Sequence, residues 1–240
     1  GLLLITLDNS VLYTALPTLI QELGATSTQG LWIINAYPLV MAGLLLGAGT
    51  LGDRIGHRRM FLIGLALFGL ASLLAAFSPT AEALIGARAF LAVGAAAMMP
   101  ATLALIRVTF EDERERNIAI AIWGTLSVVG AALGPIVGGV LLNHFWWGAV
   151  FLINVPVVVI AFAATLFVAP KAQGDASTPW DFVSSIQALI ALSALVFAIK
   201  ETTNTASDWV SPVLALIIAI TAAYFFARRQ MRATFPLLDF

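Results

Sequence analysis

Leu84-Ile-Gly-Ala-Arg88-Ala-Phe90-Leu-Ala-Val-Gly94-Ala-Ala-Ala-Met98-Met99-Pro-Ala-Thr-Leu-Ala-Leu-Ile106 is an apolar run interrupted by one charge, Arg88. A helix that crosses the roughly 30 Å hydrocarbon core of a bilayer needs about 20 apolar residues, and this stretch supplies them. A charge at the centre of such a helix costs about 2.5–3.5 kcal/mol on insertion scales. Charges that persist there usually face a bundle interior and mark an ion or substrate path. Only one other residue intrudes in the same way: Asp8, inside the run Leu2–Ile20.

The rest of the chain has the same character. Its 240 residues are 60% apolar and 10% charged, whereas a soluble domain carries about 25% charge. The reading is an all-α integral membrane protein, because lipid offers no partner for open backbone groups and the runs are too long for barrel strands. A net charge of -1 gives no argument for a nucleic-acid partner. The absence of cysteine excludes a disulfide framework and thiolate metal sites. The first segment lacks the basic start of a signal peptide.

Eight spans are expected: up to Ile20, then 31–51, 60–77, 83–106, 118–142, 148–169, 182–199 and 210–227. Of the 12 Lys and Arg, all but Arg88 and Lys200 fall on one side. They are Arg54, Arg58 and Arg59, then Arg107, Arg114 and Arg116, then Lys171, then Arg228, Arg229 and Arg232. The positive-inside rule makes that side cytoplasmic, with the N-terminus inside. Trp32, Trp146, Trp147, Trp180 and Trp209 lie near span ends, as interfacial anchors do. The linker-like stretch 170–181 separates a six-helix block, 1–169, from a trailing pair, 182–227. A basic segment, 228–240, follows. The chain starts without Met and inside a span, so the expectation is a piece of something longer.

Between spans two and three lies Gly49-Thr-Leu-Gly52-Asp53-Arg54-Ile-Gly56-His-Arg58-Arg59, read as a very short cytoplasmic turn. Its glycines permit a tight reversal, and Asp53 and the arginines can bond neighbouring helix ends. The arginines alone fit a generic anchor loop equally well. Gly130, Gly134 and Gly138 form a smooth stripe for a close helix crossing, with Pro135 bending the helix and Gly139 following. By physics alone this is small-residue packing. Arg88 lies only roughly 8 Å along its helix from Ala83, so it fits a snorkelling side chain too. The small residues after it, Gly94 to Ala97, favour a tightly packed interior position instead. Gly43, Gly47 and Gly52 match Gly130, Gly134 and Gly139 at a constant offset, a faint repeat of the three-plus-three type. His57 reads as solvated and His144 as an interfacial polar residue. Glu111–Arg116 reads as a mixed-charge solvated turn. No P-loop, nucleophile motif or metal-ligand cluster is present, so neither ATP-driven transport nor an enzyme is indicated.

The spacing G-x-L-x-D-R-x-G-x-R-R closely resembles the signature loop of the major facilitator superfamily, and the context of Arg88 resembles its fourth-helix pattern. The Gly130–Gly139 segment is similar to the motif of its antiporters and exporters. Leu7-Asp8-Asn-Ser-Val-Leu-Tyr-Thr-Ala-Leu-Pro17 resembles the first-helix motif of its fourteen-span drug:proton antiporters, and Phe151-Leu-Ile-Asn154-Val-Pro156 their sixth-helix motif. One departure is Trp146-Trp147, where that group has Trp-Arg and hence one more extracellular cation. Within the group the chain looks most like exporters of methyl viologen and quaternary ammonium compounds.

The resemblance implies a six-helix half-bundle with inverted repeats, two additional transmembrane helices, and a missing C-terminal half. It implies proton-coupled efflux of hydrophobic cations across the bacterial cytoplasmic (inner) membrane, with the proton gradient as energy source and no cofactor. Asp8 and Arg88 would couple proton to substrate, with proton and cationic drug competing for the Asp8 carboxylate. Asp53 and its arginines would latch the gate. Tyr37, Phe90, Met98, Met99 and Trp123 could line a forgiving cavity, although ordinary packing explains each of them as well. The alternatives are facilitator-type uptake of another solute, disfavoured for anions by the buried carboxylate, and a non-transporting truncated membrane fragment.

Overall fold

The computed structural model describes residues 1–170, 174–175, 182–202 and 209–231. Lys171, Trp180, Arg232 and most of the expected linker and C-terminal segment lie outside the described residues. Among the described residues the regular elements are all helices. They are α1 (Leu2–Glu22), α2 (Ser27–Ile55), α3 (His57–Ala76), α4 (Ala81–Thr109), α5 (Glu113–His144), α6 (Ala149–Leu152), α7 (Asn154–Val168), α8 (Phe182–Thr202) and α9 (Val210–Gln230). Seven stretches are long and apolar enough to cross a bilayer, α6 and α7 together forming one of them. The expected seventh span lies in α8, whose stretch Val183–Ile199 is apolar. This is a multi-pass membrane protein.

Several helices begin earlier than hydropathy predicts, because capping side chains satisfy polar first turns. Thr26 and Gln29 form a reciprocal capping box, so α2 starts at Ser27 rather than 31. Asp112 accepts from the backbone N–H of Arg114 at 2.9 Å and of Glu115 at 3.0 Å. The segment read as a solvated turn is therefore the N-cap and first turn of α5, with Glu113 and Glu115 suitably placed at the positive helix end. The sixth span is broken at Ile153, where one unbroken helix over 148–169 was expected. Pro156 explains the break: it has no N–H for the carbonyl of Leu152, four residues earlier.

The reversal between α2 and α3 takes one residue, Gly56, with φ of 95°. A side chain there would be strained, which is why glycine stands at that point of the signature loop.

α1 packs along α5, α2 along α4, and α3 along both α4 and α7. The α3–α4 crossing is closest at Gly64 and Gly94, where a Cβ on Gly94 would come within 2.7 Å of the Phe68 backbone nitrogen. α8 lies on α2 and carries α9. A side chain at Gly43 would overlap Leu189, and one at Gly47 would overlap Ser185. Trp32 stacks on Phe197 with ring centroids 6.1 Å apart, so it also serves this contact. The glycine repeat therefore does not mark equivalent contacts. Gly130 and Gly134 face α1, and an inverted repeat would set Gly43 and Gly47 against α4, not α8.

Gly94→Val overpacks the α3–α4 crossing at a cost of about 1–3 kcal/mol, and is expected to lower the thermal midpoint of the detergent-solubilised protein by roughly 2–12 °C. Gly139→Ala, where a Cβ meets nothing within 4 Å, should leave the midpoint unchanged. Equal melting of the two variants would refute the close crossing.

Candidate functional site

Asp8 lies on the stripe of α1 formed by Leu4, Val11, Leu12, Ala15 and Leu19, all buried. Arg88 lies on the inner stripe of α4 with Leu84, Leu91, Ala95 and Met98. Helical spacing thus turns both charges into the bundle. Arg88 is 0% exposed and Asp8 3%, which rules out snorkelling for Arg88. The two meet directly, Arg88 Nη1 donating to Asp8 Oδ2 at 2.5 Å.

The rest of the shell leaves little of either charge unpaired. Arg88 Nη2 donates to Asn9 Oδ1 at 2.9 Å and Nε to the Ile33 carbonyl at 3.3 Å. Its guanidinium carbon sits 4.6 Å from the centroid of the Tyr37 ring, a cation–π contact. The other Asp8 oxygen, Oδ1, accepts from Asn154 Nδ2 at 2.6 Å, and Asn154 in turn faces Ser72 Oγ at 3.4 Å. Spans one, two, three, four and six thus converge on one polar network. Removing one partner of a buried ion pair typically costs about 3–5 kcal/mol, because the other is left uncompensated.

Asn9, Ser72 and Asn154 were not assigned to this network by the sequence reading. Asn154 carried a signal, since it is the polar residue of the sixth-helix motif. Ser72 carried none, as a serine in an apolar helix is unremarkable until its neighbours are known.

Two expectations need correction. Asp8 lies inside the half-bundle with both oxygens engaged, so a drug does not have direct access to it in this conformation. Tyr37 and Met98 do not line a cavity: the first lies beneath the guanidinium and the second is wedged against Gly64. Phe90 and Met99 are partly buried against the core, and Trp123 is half-buried. Phe90 also borders a recess of about 340 Å³ with Phe77 and Pro79, at the α3–α4 turn.

The signature segment is mostly helix rather than turn. Gly49, Gly52, Asp53 and Arg54 belong to the end of α2, while Arg58 and Arg59 open α3. Asp53, Arg54 and Arg59 are exposed. His57 is not solvated as expected; it is half-buried with Nε2 3.4 Å from Asp53. Arg58 turns towards its own half, its Nη2 donating to the Leu166 carbonyl at 2.7 Å in the last turn of α7. That is a cation at the negative end of a helix. The backbone N–H of Asp175 donates to the Asp53 carbonyl at 3.0 Å, so the chain beyond span six returns to this loop.

In span five, Gly130, Gly134 and Gly138 are buried against α1, facing Thr6, Ser10 and Thr14. Pro135 is exposed and Gly139 lies off the stripe. Pro135 cannot donate to the carbonyl of Ala131, four residues earlier. Ser10 Oγ, from α1, donates to that carbonyl instead, at 2.6 Å. The first-helix and fifth-helix motifs are therefore joined by a hydrogen bond that replaces the one proline removed. Ser10→Ala leaves the Ala131 carbonyl without this donor and is expected to cost about 0.5–1.5 kcal/mol, read as a drop in thermal midpoint. In a Pro135→Ala background the same substitution should cost much less, since the helix then supplies the donor; equal losses in both backgrounds would reject this account.

Comparison with known proteins agrees with this geometry. A family model described as Major Facilitator Superfamily matches residues 1–239. The chain is 44% identical over 236 residues to the methyl viologen resistance protein SmvA of Salmonella typhimurium, covering 98% of the chain and 48% of that protein. It is 45% identical over 239 residues to the multidrug efflux pump LfrA of Mycolicibacterium smegmatis, covering 99% and 47%. It thus spans about half the length of these curated relatives. A crystal structure of the peptide transporter POT, an E310Q mutant in complex with sulfate, superposes with a TM-score of 0.64 at 18% identity, over 97% of this chain and 52% of that one. The buried charge pair, the one-residue reversal at Gly56 and the match over nearly the whole chain lead to one conclusion: this chain belongs to the Major Facilitator Superfamily.

Proposed function

We propose that the chain is the N-terminal portion of a fourteen-span exporter that expels hydrophobic cations in exchange for protons. Residues 1–169 form its first six-helix half, and 182–227 form its two additional helices. Residues 170–181 and 228–240 are the connections, the latter leading to the second half. The protein lies in the bacterial cytoplasmic membrane with its N-terminus inside. The proton gradient drives it, it needs no cofactor, and it is a transporter rather than an enzyme.

The observation that carries this reading is the buried Asp8–Arg88 pair. A carboxylate in the bundle interior, bonded to Arg88 and Asn154 within a network drawn from five spans, is a site where one proton can change the packing of a whole half. Protonation of Asp8 cancels its charge and leaves Arg88 uncompensated, which loosens span one from span four. Asn9 links this pair to the unpartnered side of α1, where Tyr13 is 62% exposed. That side is proposed as the wall that meets substrate. Drug and proton then exclude each other through the packing of α1, with no need to share one carboxylate. Alternating access of this kind is rocking of one half against the other, with the Gly49–Arg59 segment as the cytoplasmic latch. The named resistance and efflux relatives support cationic and multidrug substrates for this chain.

The test is efflux of ethidium from efflux-deficient cells carrying the complete exporter, with and without a proton uncoupler. Asp8→Asn, at equal membrane expression, is expected to abolish the uncoupler-sensitive component, a loss of at least about tenfold for a cost above roughly 1.4 kcal/mol. Undiminished efflux from Asp8→Asn would remove Asp8 from the mechanism.

A further inference from the structure

Among the described residues the buried network contains two side-chain atoms without a hydrogen-bond partner, the Tyr37 hydroxyl and Asn154 Oδ1, and only the second belongs to a group that touches Asp8. Asn154 is fully buried, and its Oδ1 has no hydrogen-bond partner, although its Nδ2 is engaged with Asp8 and Ser72. An amide carries a donor end and an acceptor end of nearly the same shape. Of the groups that touch Asp8, Arg88 can only donate, whereas Asn154 can do either. Asn154 is also the first residue of α7, beside the break at Ile153, so its side chain joins Asp8 to a discontinuity in the sixth span.

We propose that Asn154 is the positioning residue of the proton-carrying site: its amide holds ionised Asp8 through Nδ2 and turns over to hold protonated Asp8 through Oδ1. This rests on the reading of Asp8 as the proton carrier. A hydronium ion gives its proton to Asp8 Oδ1: one of its O–H bonds breaks to leave water, an O–H bond forms on the carboxyl, and the Nδ2–H hydrogen bond to that oxygen breaks. The amide rotates by half a turn and its unsatisfied Oδ1 accepts the new hydroxyl. No other covalent bond changes, and Arg88 then faces Oδ2 of a neutral carboxyl, the weakened contact that loosens span one from span four. Ser72 Oγ, 3.4 Å away, can accept from one end of the amide and donate to the other. The rotation occurs at the start of α7, so loading of the proton reaches the sixth span as well as the fourth.

The charged and titratable groups that face Asp8 are few. Arg88 comes from α4 and pairs with Asp8, and Tyr37 comes from α2, its ring beneath the Arg88 guanidinium. α3 and α7 contribute the uncharged Ser72 and Asn154. α5 meets α1 through Gly130, Gly134 and Gly138, and α6 consists of Ala149, Val150, Phe151 and Leu152. The pH response of the site therefore depends on Asp8 with Arg88, Tyr37 and the Asn154 amide.

The experiment uses the complete exporter in everted vesicles, following uncoupler-sensitive ethidium transport against pH for wild type, Asp8→Asn and Asn154→Leu. Leucine keeps the bulk and removes both ends of the amide. The bond to the ionised carboxylate is the stronger of the two, so its loss favours the protonated form, and the pH midpoint of Asn154→Leu is expected to rise by about one unit. In parallel, pH-difference infrared spectra of the wild-type protein should show a carboxyl band, absent in Asp8→Asn, that titrates together with an asparagine side-chain amide band. An unshifted midpoint in Asn154→Leu, or a carboxyl band titrating with no amide change, overturns the role of Asn154 while Asp8 stands. If Asn154→Leu does not reach the membrane, the wild-type spectra alone decide. Full coupled transport by Asp8→Asn instead overturns the proton-carrier reading itself, and this inference with it.

Discussion

The ion pair between Asp8 and Arg88 is the interaction around which the rest of the half-bundle is arranged. Two opposite charges with almost no solvent exposure persist only if each is compensated by the other and by hydrogen bonds to what remains. That requirement accounts for the neighbours found there: Asn9 and the Ile33 carbonyl for the guanidinium, Asn154 for the second carboxylate oxygen, and Tyr37 as a ring beneath the cation. Because the partners come from five spans, the network also sets how those spans sit relative to one another.

Small residues make the network reachable. Gly64 and Gly94 bring α3 against α4, which carries Arg88, and Gly130 and Gly134 bring α5 against α1, which carries Asp8, so close crossings flank the pair on both sides. Without a hydrophobic drive between helices in lipid, such close packing and interhelical hydrogen bonds are the main sources of cohesion. The bond from Ser10 to the carbonyl freed by Pro135 belongs to the same logic. A proline that would otherwise leave an orphan acceptor becomes a specific attachment point for the neighbouring helix, tying together two segments that the sequence displays as separate motifs.

The cytoplasmic side is organised differently, by helix ends rather than by buried charge. Gly56 turns the chain in one residue, Arg58 bonds the end of α7, and the backbone at Asp175 returns to Asp53. Asp53, Arg54 and Arg59 remain exposed on that surface. This leaves the signature segment braced on its own half while presenting charge outward, the arrangement suited to a contact that forms and breaks.

The fold class, the membrane character and the family were legible from residue order, because each rests on properties that are local along the chain. Apolar length decides whether a segment can cross lipid, and a motif such as Gly49–Arg59 is read at fixed spacing. Arg88 and Asp8 stood out for the same reason, as charges inside such runs. Helix starts at Ser27 and Glu113 and the break at Ile153 were missed, although caps and Pro156 were there to be read, since hydropathy reports burial in lipid and not the hydrogen bonds of helix ends. Tertiary structure alone decided that Asp8 meets Arg88 rather than solvent. It also decided that Asn154 joins Asp8 from 146 residues away along the chain, and that Ser72 meets Asn154 across 82. In the same way it set Gly43 and Gly47 against α8 instead of a repeat-related helix. The pairing of helix faces depends on which stripes fit closest when all the spans pack at once, and that fit is a property of the assembled bundle, not of any one segment.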